Sequence, residues 1–406
     1  MSEWNKYNLE DLVFVDKEQL SNSTDSEYSF YYIDISSVST NQIQFPDFPI
    51  SFSSSPSRAR KILHDGDVLM ATVRPNLKAF AKFKKPANRN YIASTGFAVL
   101  SKKESADLDF IYHSLFSYAV EKQIETLVVG SNYPALNTGD ICKLKILAPS
   151  LSTQRKISQI LSTADAVIEK TQAAITKYKA IKQGMLHDLF TRGIDIQTGK
   201  LRPRYEDAPE LYNESKLGWI PSEWEVETLE NICSMKSGEG ITSIRIHEMG
   251  DYPVYGGNGL RGFTNTYTND GEYTLIGRQG ALCGNITRVS GKFYASEHAV
   301  VVTVENEIDV DWLAQKLDTM NLNQYSEASA QPGLSVNKIL RLSISKPSFR
   351  EQEKIAERLL SIDQKLQTEQ IYLHKLQQIK QGLMGDLLSG KKTVKVEEEL
   401  VTHNFN

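Results

Sequence analysis

Apolar residues recur at alternating steps of three and four along two stretches of the chain. In the first stretch, one row runs Ile157, Ala164, Thr171, Tyr178, Met185 and the other runs Leu161, Ile168, Ile175, Lys182, Leu189. The later stretch has Ile355, Ile362, Glu369, Leu376, Leu383 beside Leu359, Leu366, Leu373, Lys380, Leu387. A 3.5-residue period kept over about five heptads predicts two long coiled-coil helices. Pro149 and Pro347 stop any helix from starting earlier, and Ser152 is placed to cap the first. About 38 residues at 1.5 Å each make a rod of roughly 57 Å, whose seam needs a partner. The simplest partner is the other copy, paired antiparallel because a turn follows each, although heptads alone leave the orientation open.

The two stretches are copies of one another. SNYPALNTGDICKLKILAPSLSTQRKISQIL from Ser131 aligns with SAQPGLSVNKILRLSISKPSFREQEKIAERL from Ser329 at an offset of 198 residues, without a gap for about sixty residues. Both tails end in a shared signature, Ile181-Lys182-Gln183-Gly184 against Ile379-Lys380-Gln381-Gly382. The segments ahead of the tails match more loosely, Trp4, Leu9 and Glu10 with Trp224, Leu229 and Glu230. The plan is therefore module, tail, linker, module, tail.

Each module reads as a series of β-prone runs closed by a helix. Module one has FYYIDISSV, DVLMATV, AFAKF and YIASTGFAVL, then a helix over about 109–127. Module two has YPVYGGNG, GEYTLIGRQGALCGN and KFYASEHAVVVTV, then a helix over about 310–321. Arg74 aligns with Arg278, and Ala93-Ser94 with Ala295-Ser296. The linker, about 191–222, carries Gly, Pro and mixed charge without a period, and reads as loop or extended chain. The tail KKTVKVEEELVTHNFN has charge blocks, little to bury, and reads as mobile.

Composition narrows the chemistry. The 406 residues are 40% hydrophobic and 24% charged, enough for two to three cored domains. No run of eighteen apolar residues and no secretory start is present, and three scattered cysteines fit neither a disulfide framework nor a zinc site. A cytoplasmic, reducing location is expected. The formal net charge is −4, so any DNA contact must come from local patches or from help by partners. One patch stands out. Between Arg58 and Arg89 nine basic residues face only Asp65 and Asp67. In module two, Arg278-Gln279 sits between glycines, and Arg and Gln are the side chains that read guanine and adenine edges.

Catalytic motifs fail one by one. No [ND]PP[YF] tetrapeptide of an adenine methyltransferase occurs, and no GxGxxG follows a strand. Gly385–Lys392 misses the hydroxyl of a phosphate-binding loop, and His247-Glu248 lacks the second histidine of a zinc protease. Glu297-His298 reads as a polar contact at a strand start. The chain reads as non-catalytic, with no catalytic residue, no metal ligand and no cofactor of its own.

Three features together resemble the specificity subunit of type I restriction-modification enzymes, over essentially the whole chain. They are the paired tails PSLSTQRKISQIL and PSFREQEKIAERL, each ending in IKQGxxxDL; the run LGWIPSEWEVETL; and the YGGNG, IGRQGALCGN and SAQPGLSV series, with VRPNLKAFAKF and IASTGFAVL opposite it. The resemblance implies a mixed α/β (α+β) fold with a pseudo-twofold internal repeat. Target recognition domains would span 1–150 and 223–347, conserved helical spacers 151–190 and 348–390, a linker 191–222 and a mobile tail 391–406. Each recognition domain would read one half of a bipartite, asymmetric DNA site, and the helices would set the spacer.

Candidate DNA-binding residues are Arg58, Arg60, Arg74, Asn76, Lys78, Lys82 and Ser94 in module one. In module two they are Asn258, Arg261, Arg278, Gln279, Lys292 and Ser296. Candidate subunit-docking residues are Gln154, Lys156 and Lys182 with Gln352, Lys354 and Lys380. The implied partners are double-stranded DNA, two methyltransferase subunits that carry the S-adenosylmethionine, and motor-nuclease subunits, with no membrane. The competing reading is a coiled-coil scaffold that binds proteins and does not read DNA.

Overall fold

Proline marks where each long helix begins. After Pro149 the first runs Leu151–Thr191 over 41 residues, and after Pro347 the second runs Phe349–Leu387 over 39. The first begins one residue ahead of the expected Ser152, which lies in its first turn. A computed structural model describes residues 4–128, 134–280, 282–327 and 333–395. The start of each aligned repeat (131–133 and 329–332) and the tail from 396 onward lie outside the described residues. The chain divides into two units, residues 1–172 with 372–406, and residues 173–371, so the division falls within both helices.

Within the first unit, Ile157 and Leu161 of the first helix share a core with Leu387 and Leu388, and Lys380 is ion-paired with Asp165. Within the second, Leu186, Leu189 and Phe190 share a core with Ile355, Ala356 and Leu359, and Lys182 Nζ lies 2.6 Å from Asp363. Later residues of one helix meet earlier residues of the other, so the pairing is antiparallel in each unit. The two ion pairs are images of one another at the 198-residue offset. The polar seam positions Lys182 and Lys380 are thus neutralised register marks, with side chains only 22% and 17% exposed. Of the other polar seam pair, Thr171 and Glu369, Thr171 is buried and donates its hydroxyl to the Val167 carbonyl within its own helix, while Glu369 is half-buried.

The first unit carries two four-stranded sheets. One orders Ile50–Ser51, Ser29–Ile33, Tyr91–Ser94 and Ala59–Ile62; the other orders Val13–Val15, Phe97–Lys102, Val68–Ala71 and Phe80–Lys82. Strands Tyr91–Ser94 and Val68–Ala71 are buried along their whole length, which is why Tyr91–Ala93 and Val68–Ala71 read as unbroken apolar runs. The helix expected over 109–127 is two, Leu108–Ser114 and Tyr118–Leu127, because Ser117 caps the second.

The second unit has one six-stranded sheet, ordered Cys233–Ser237, Ala299–Val304, Asn269–Gly277, Ile286–Ala295, Tyr252–Gly256 and Gly259–Thr264. Each module holds a parallel strand pairing, and the two correspond: Ala93 lies opposite Ile33, and Ala295 opposite Tyr255.

The linker is in part extended chain. Tyr212–Ser215 and Gly218–Pro221 form an antiparallel hairpin, and Tyr205 stacks on Trp219 at 4.3 Å between centroids. Its anchor is Arg202, buried in a pair with Glu351 of the second long helix.

Candidate nucleic-acid interface

The edges that could face a ligand are the strand ends where each module's sheet gives way to turns. Backbone hydrogen bonds fix which residues correspond there. In module one, Thr72 N–H donates to the Gly96 carbonyl at 2.8 Å, and Leu136 N–H donates to the Thr72 carbonyl at 2.9 Å. In module two, Arg278 N–H donates to the His298 carbonyl at 2.8 Å, and Leu334 N–H donates to the Arg278 carbonyl at 2.9 Å. Leu136 and Leu334 are partners in the 198-residue repeat. The structural counterpart of Arg278 is therefore Thr72, not Arg74 as the sequence alignment has it. Arg74 corresponds to Gly280, and both take a left-handed backbone, φ 49° and 94°. The shared arginine identity had pulled the alignment two residues out of register.

In module two the edge is drawn together by glycines. A Cβ on Gly257 would lie 2.7 Å from the Gln279 carbonyl oxygen, and one on Gly277 would lie 2.1 Å from the Gly257 oxygen. Only glycine allows these turns to touch through backbone. Around them gather Arg261, whose side chain covers Gly256, the exposed Asn258 and Gln279, and the half-buried Arg278, which donates to the Ser237 hydroxyl at 3.1 Å. A hollow of about 610 Å³ beside Arg278 and Gln279 is lined by Lys236, Ser237, Ser335 and Asn337. Lys292 is not part of this group. It opposes Asp270 near the start of its hairpin and lies over the Tyr267 ring at 4.7 Å, whereas Arg278 follows the last residue of the same strand.

In module one the basic stretch is dispersed. Arg58 lies beside the edge, because Thr95 N–H donates to its carbonyl, and Arg74 and Asn76 are exposed on the turn after Thr72. Arg60 stacks over Phe52 at 4.9 Å. Lys61, one of the nine basic residues, is buried in an ion pair with Asp16. Lys82 pairs in register with Val68, at the end of the strand Val68–Ala71 away from Thr72, and it binds Asp109 at 3.1 Å. Lys78 binds Glu121 at 2.8 Å. Both lysines line a separate cleft of about 1830 Å³ within the first unit. The expected phosphate-facing surface is thus split, and Arg58, Lys61, Lys78 and Lys82 are each ion-paired locally.

Four candidates are corrected by burial. Ser94 is 1% exposed, its hydroxyl accepting from Gly96 N–H, and Ser296 is 0% exposed, so neither presents a surface to DNA. Ser94 ends a strand and Ser296 follows one, and each comes directly after a buried alanine. Gln154 and Gln352 are also buried, and each staples its helix to the module in the same way. Gln154 accepts from Asp107 N–H at 2.9 Å and donates to the Pro149 carbonyl; Gln352 accepts from Asp309 N–H at 2.9 Å and donates to the Pro347 carbonyl. They hold the fold rather than a partner. Lys156 and Lys354 are exposed, Lys354 bonded to Glu357 at 2.9 Å. Sequence reading missed Asp34, which binds Arg58 at 2.9 Å; its partner lies 24 residues away with no periodic signal to link them. Among the described residues no His, Cys, Asp or Glu group could hold a metal ion, and no helix is long and apolar enough to cross a membrane. Glu297 and His298 lie 3.3 Å apart, both half-buried just ahead of the strand Ala299–Val304.

Comparison with known proteins bears on what these edges are for. The family model of the type I restriction modification DNA specificity domain matches residues 1–177 and again 221–381. The type I restriction enzyme EcoprrI specificity subunit of Escherichia coli is 34% identical over 274 residues, 66% of this chain and 64% of that protein. The chain thus spans slightly less than two thirds of that relative. The MjaVIII specificity subunit of Methanocaldococcus jannaschii is 23% identical over 362 residues, covering 82% of this chain and 81% of the relative. The crystal structure of a type I restriction-modification system S subunit from M. genitalium shares the fold, with a TM-score of 0.64 at 19% identity over 95% of this chain and 96% of that one.

Proposed function

The chain belongs to the type I restriction-modification DNA specificity family, and from that premise we propose that it is the non-catalytic reader of such a complex. Each module reads one half of a bipartite, asymmetric DNA site. The helix pair sets the number of base pairs between the halves and docks two methyltransferase subunits, which carry S-adenosylmethionine and methylate adenine. Motor-nuclease subunits join for restriction, in the cytoplasm. The supporting observation is the common backbone frame at the two module edges, Thr72 with Gly96 and Arg278 with His298, on which the side chains differ. One frame carrying two different sets of side chains is what reading two different half-sites requires. The docking surface is expected on repeat-related exposed residues of the helices, Lys156 with Lys354 and Ile181 with Ile379.

Arg278→Ala, assembled with the methyltransferase subunits, tests the reading. An arginine that reads a base is worth roughly 1–3 kcal/mol of discrimination, so affinity for the cognate duplex should fall roughly 5- to 150-fold and one base of one half-site should relax. Competition binding with single-base variants of the duplex measures both. Unchanged affinity and unchanged preference would remove Arg278 from the interface.

A further inference from the structure

Arg58 is a candidate arginine of module one that a carboxylate holds in place at the edge beside Thr72. Its backbone is tied there through Thr95, one residue before the Gly96 that binds Thr72. Asp34, just past the strand Ser29–Ile33, supplies the anchor. One carboxylate oxygen accepts from the Ser36 N–H at 3.1 Å and the Ser36 hydroxyl at 3.3 Å. The other accepts from the Tyr32 hydroxyl at 3.2 Å and from a terminal N–H of Arg58 at 2.9 Å. Burial would raise the Asp34 carboxyl, but the Ser36 N–H and the guanidinium outweigh it and hold it below its ordinary value, so it is charged at neutral pH. The Arg58 side chain remains 56% exposed against 23% for Asp34.

An ion pair this exposed adds little to stability. What it supplies is orientation. Part of the guanidinium is spent on fixed partners, Asp34 and the Tyr32 hydroxyl, and the remaining donors start from a defined place, so less freedom is lost when they meet a base edge. Among the described residues, no carboxylate takes this place at the matching strand end of module two. The register that sets Ala93 against Ile33 and Ala295 against Tyr255 puts Gly256 where module one has Asp34.

Resting on the DNA-reading function proposed above, we propose that Asp34 is a positioning residue that holds Arg58 to read a guanine in the half-site of module one. Guanine follows from its paired N7 and O6 acceptors, which match a guanidinium.

The test maps methylated adenines in cells expressing the methyltransferase subunit with the full chain, as wild type, Arg58→Ala, Asp34→Ala or Asp34→Asn. Arg58→Ala should lose discrimination at one guanine roughly 5- to 150-fold. Asp34→Ala should relax the same base by about fivefold or more, Asp34→Asn should relax it less because its amide oxygen still accepts, and the other half-site should stay intact. A purely structural role for Asp34 would lower methylation everywhere without relaxing one base. Should Asp34→Ala fail to assemble, Asp34→Asn decides, since it keeps size and acceptor. If Arg58→Ala relaxes a base and neither Asp34 variant does, or they relax a different one, the positioning role is wrong and the reading function stands. If all variants keep the wild-type split motif, the proposal falls while the reading function survives. No chain-dependent motif from the wild type would sink the reading function and the proposal with it.

Discussion

Glu351→Ala is expected to destabilise the unit formed by residues 173–371 by about 3–5 kcal/mol, the usual cost of stranding a buried charge. Glu351 is 1% exposed and serves four donors. Arg202 Nη1 and Nη2 reach it at 2.5 and 3.0 Å, Ile194 N–H at 2.7 Å, and the Trp224 indole N–H at 3.1 Å. Removing it leaves the Arg202 guanidinium, itself 7% exposed at the side chain, with the exposed Glu223 as its remaining ion-pair partner among the described residues. Two further buried donors lose their acceptor, each of which carries its own penalty. Gly193 shows how tightly the site is closed: a Cβ there would lie 2.1 Å from a Glu351 carboxylate oxygen and 2.4 Å from the Trp224 ring. The double variant Arg202→Met, Glu351→Leu should recover most of the loss, because apolar replacement of a whole buried pair is often neutral. Urea unfolding of the three proteins measures this. A Glu351→Ala protein within 1 kcal/mol of wild type, on the scale where breaking a buried pair costs about 3–5, would show that water reaches the network.

His113→Gln is expected to remove much of the acid sensitivity of the other unit. His113 is fully buried, with Nε2 3.1 Å from the Ser162 hydroxyl and Nδ1 3.8 Å from Asp165. Burial, then the positive charges of Lys380 and Lys82, push its pKa down to about 3. It is therefore neutral at pH 7, and its approach to Asp165 is not an ion pair. The unfolded chain accepts a proton near pH 6.5, which the folded chain refuses until about 3, so stability is full above 6.5 and falls as pH drops through that window. The slope is about 1.4 kcal/mol per pH unit. The second unit shows what a non-titrating side chain does in the corresponding place: Gln315 donates to Asp363 at 3.1 Å, and Asp363 also binds Lys182. Near pH 7.5 the variant should match wild type to within about 1 kcal/mol, as one neutral hydrogen bond replaces another. At pH 5 it should be more stable by about 2 kcal/mol. Melting curves across pH 7.5 to 5 would contradict this if the two proteins declined in parallel.

The sequence made the helices, the repeat and the strand runs legible because each is a periodic or locally buried pattern. The seam residues Ile157, Leu161, Ile355 and Leu359 are indeed buried at the helix pairs. What stayed hidden depends on partners far away in the chain. Gln154 and Gln352 look like polar residues on a solvated first turn, yet each reaches a backbone N–H more than forty residues away. Arg202 reads as a linker charge until Glu351, 149 residues on, is placed beside it. Ser94 ends a strand and Ser296 follows one, and alternation cannot say which way a side chain at a strand end faces. The matching of Arg74 with Arg278 followed residue identity, whereas the backbone ladder, invisible in sequence, aligns Arg278 with Thr72. Asp34 carried no pattern at all. Its importance comes only from the Arg58 guanidinium it holds.

The measurement that tests the central claim most directly is a single-molecule map of methylated adenines in cells carrying this chain with its methyltransferase subunit, repeated with residues 1–150 exchanged for those of a relative. The reader account predicts a split motif with a fixed, unread spacer, absent without the chain, in which the exchange rewrites one half and leaves the other. A continuous motif, or a methylation pattern indifferent to the chain while the complex still assembles, would contradict it and favour a scaffold that binds proteins and reads no DNA.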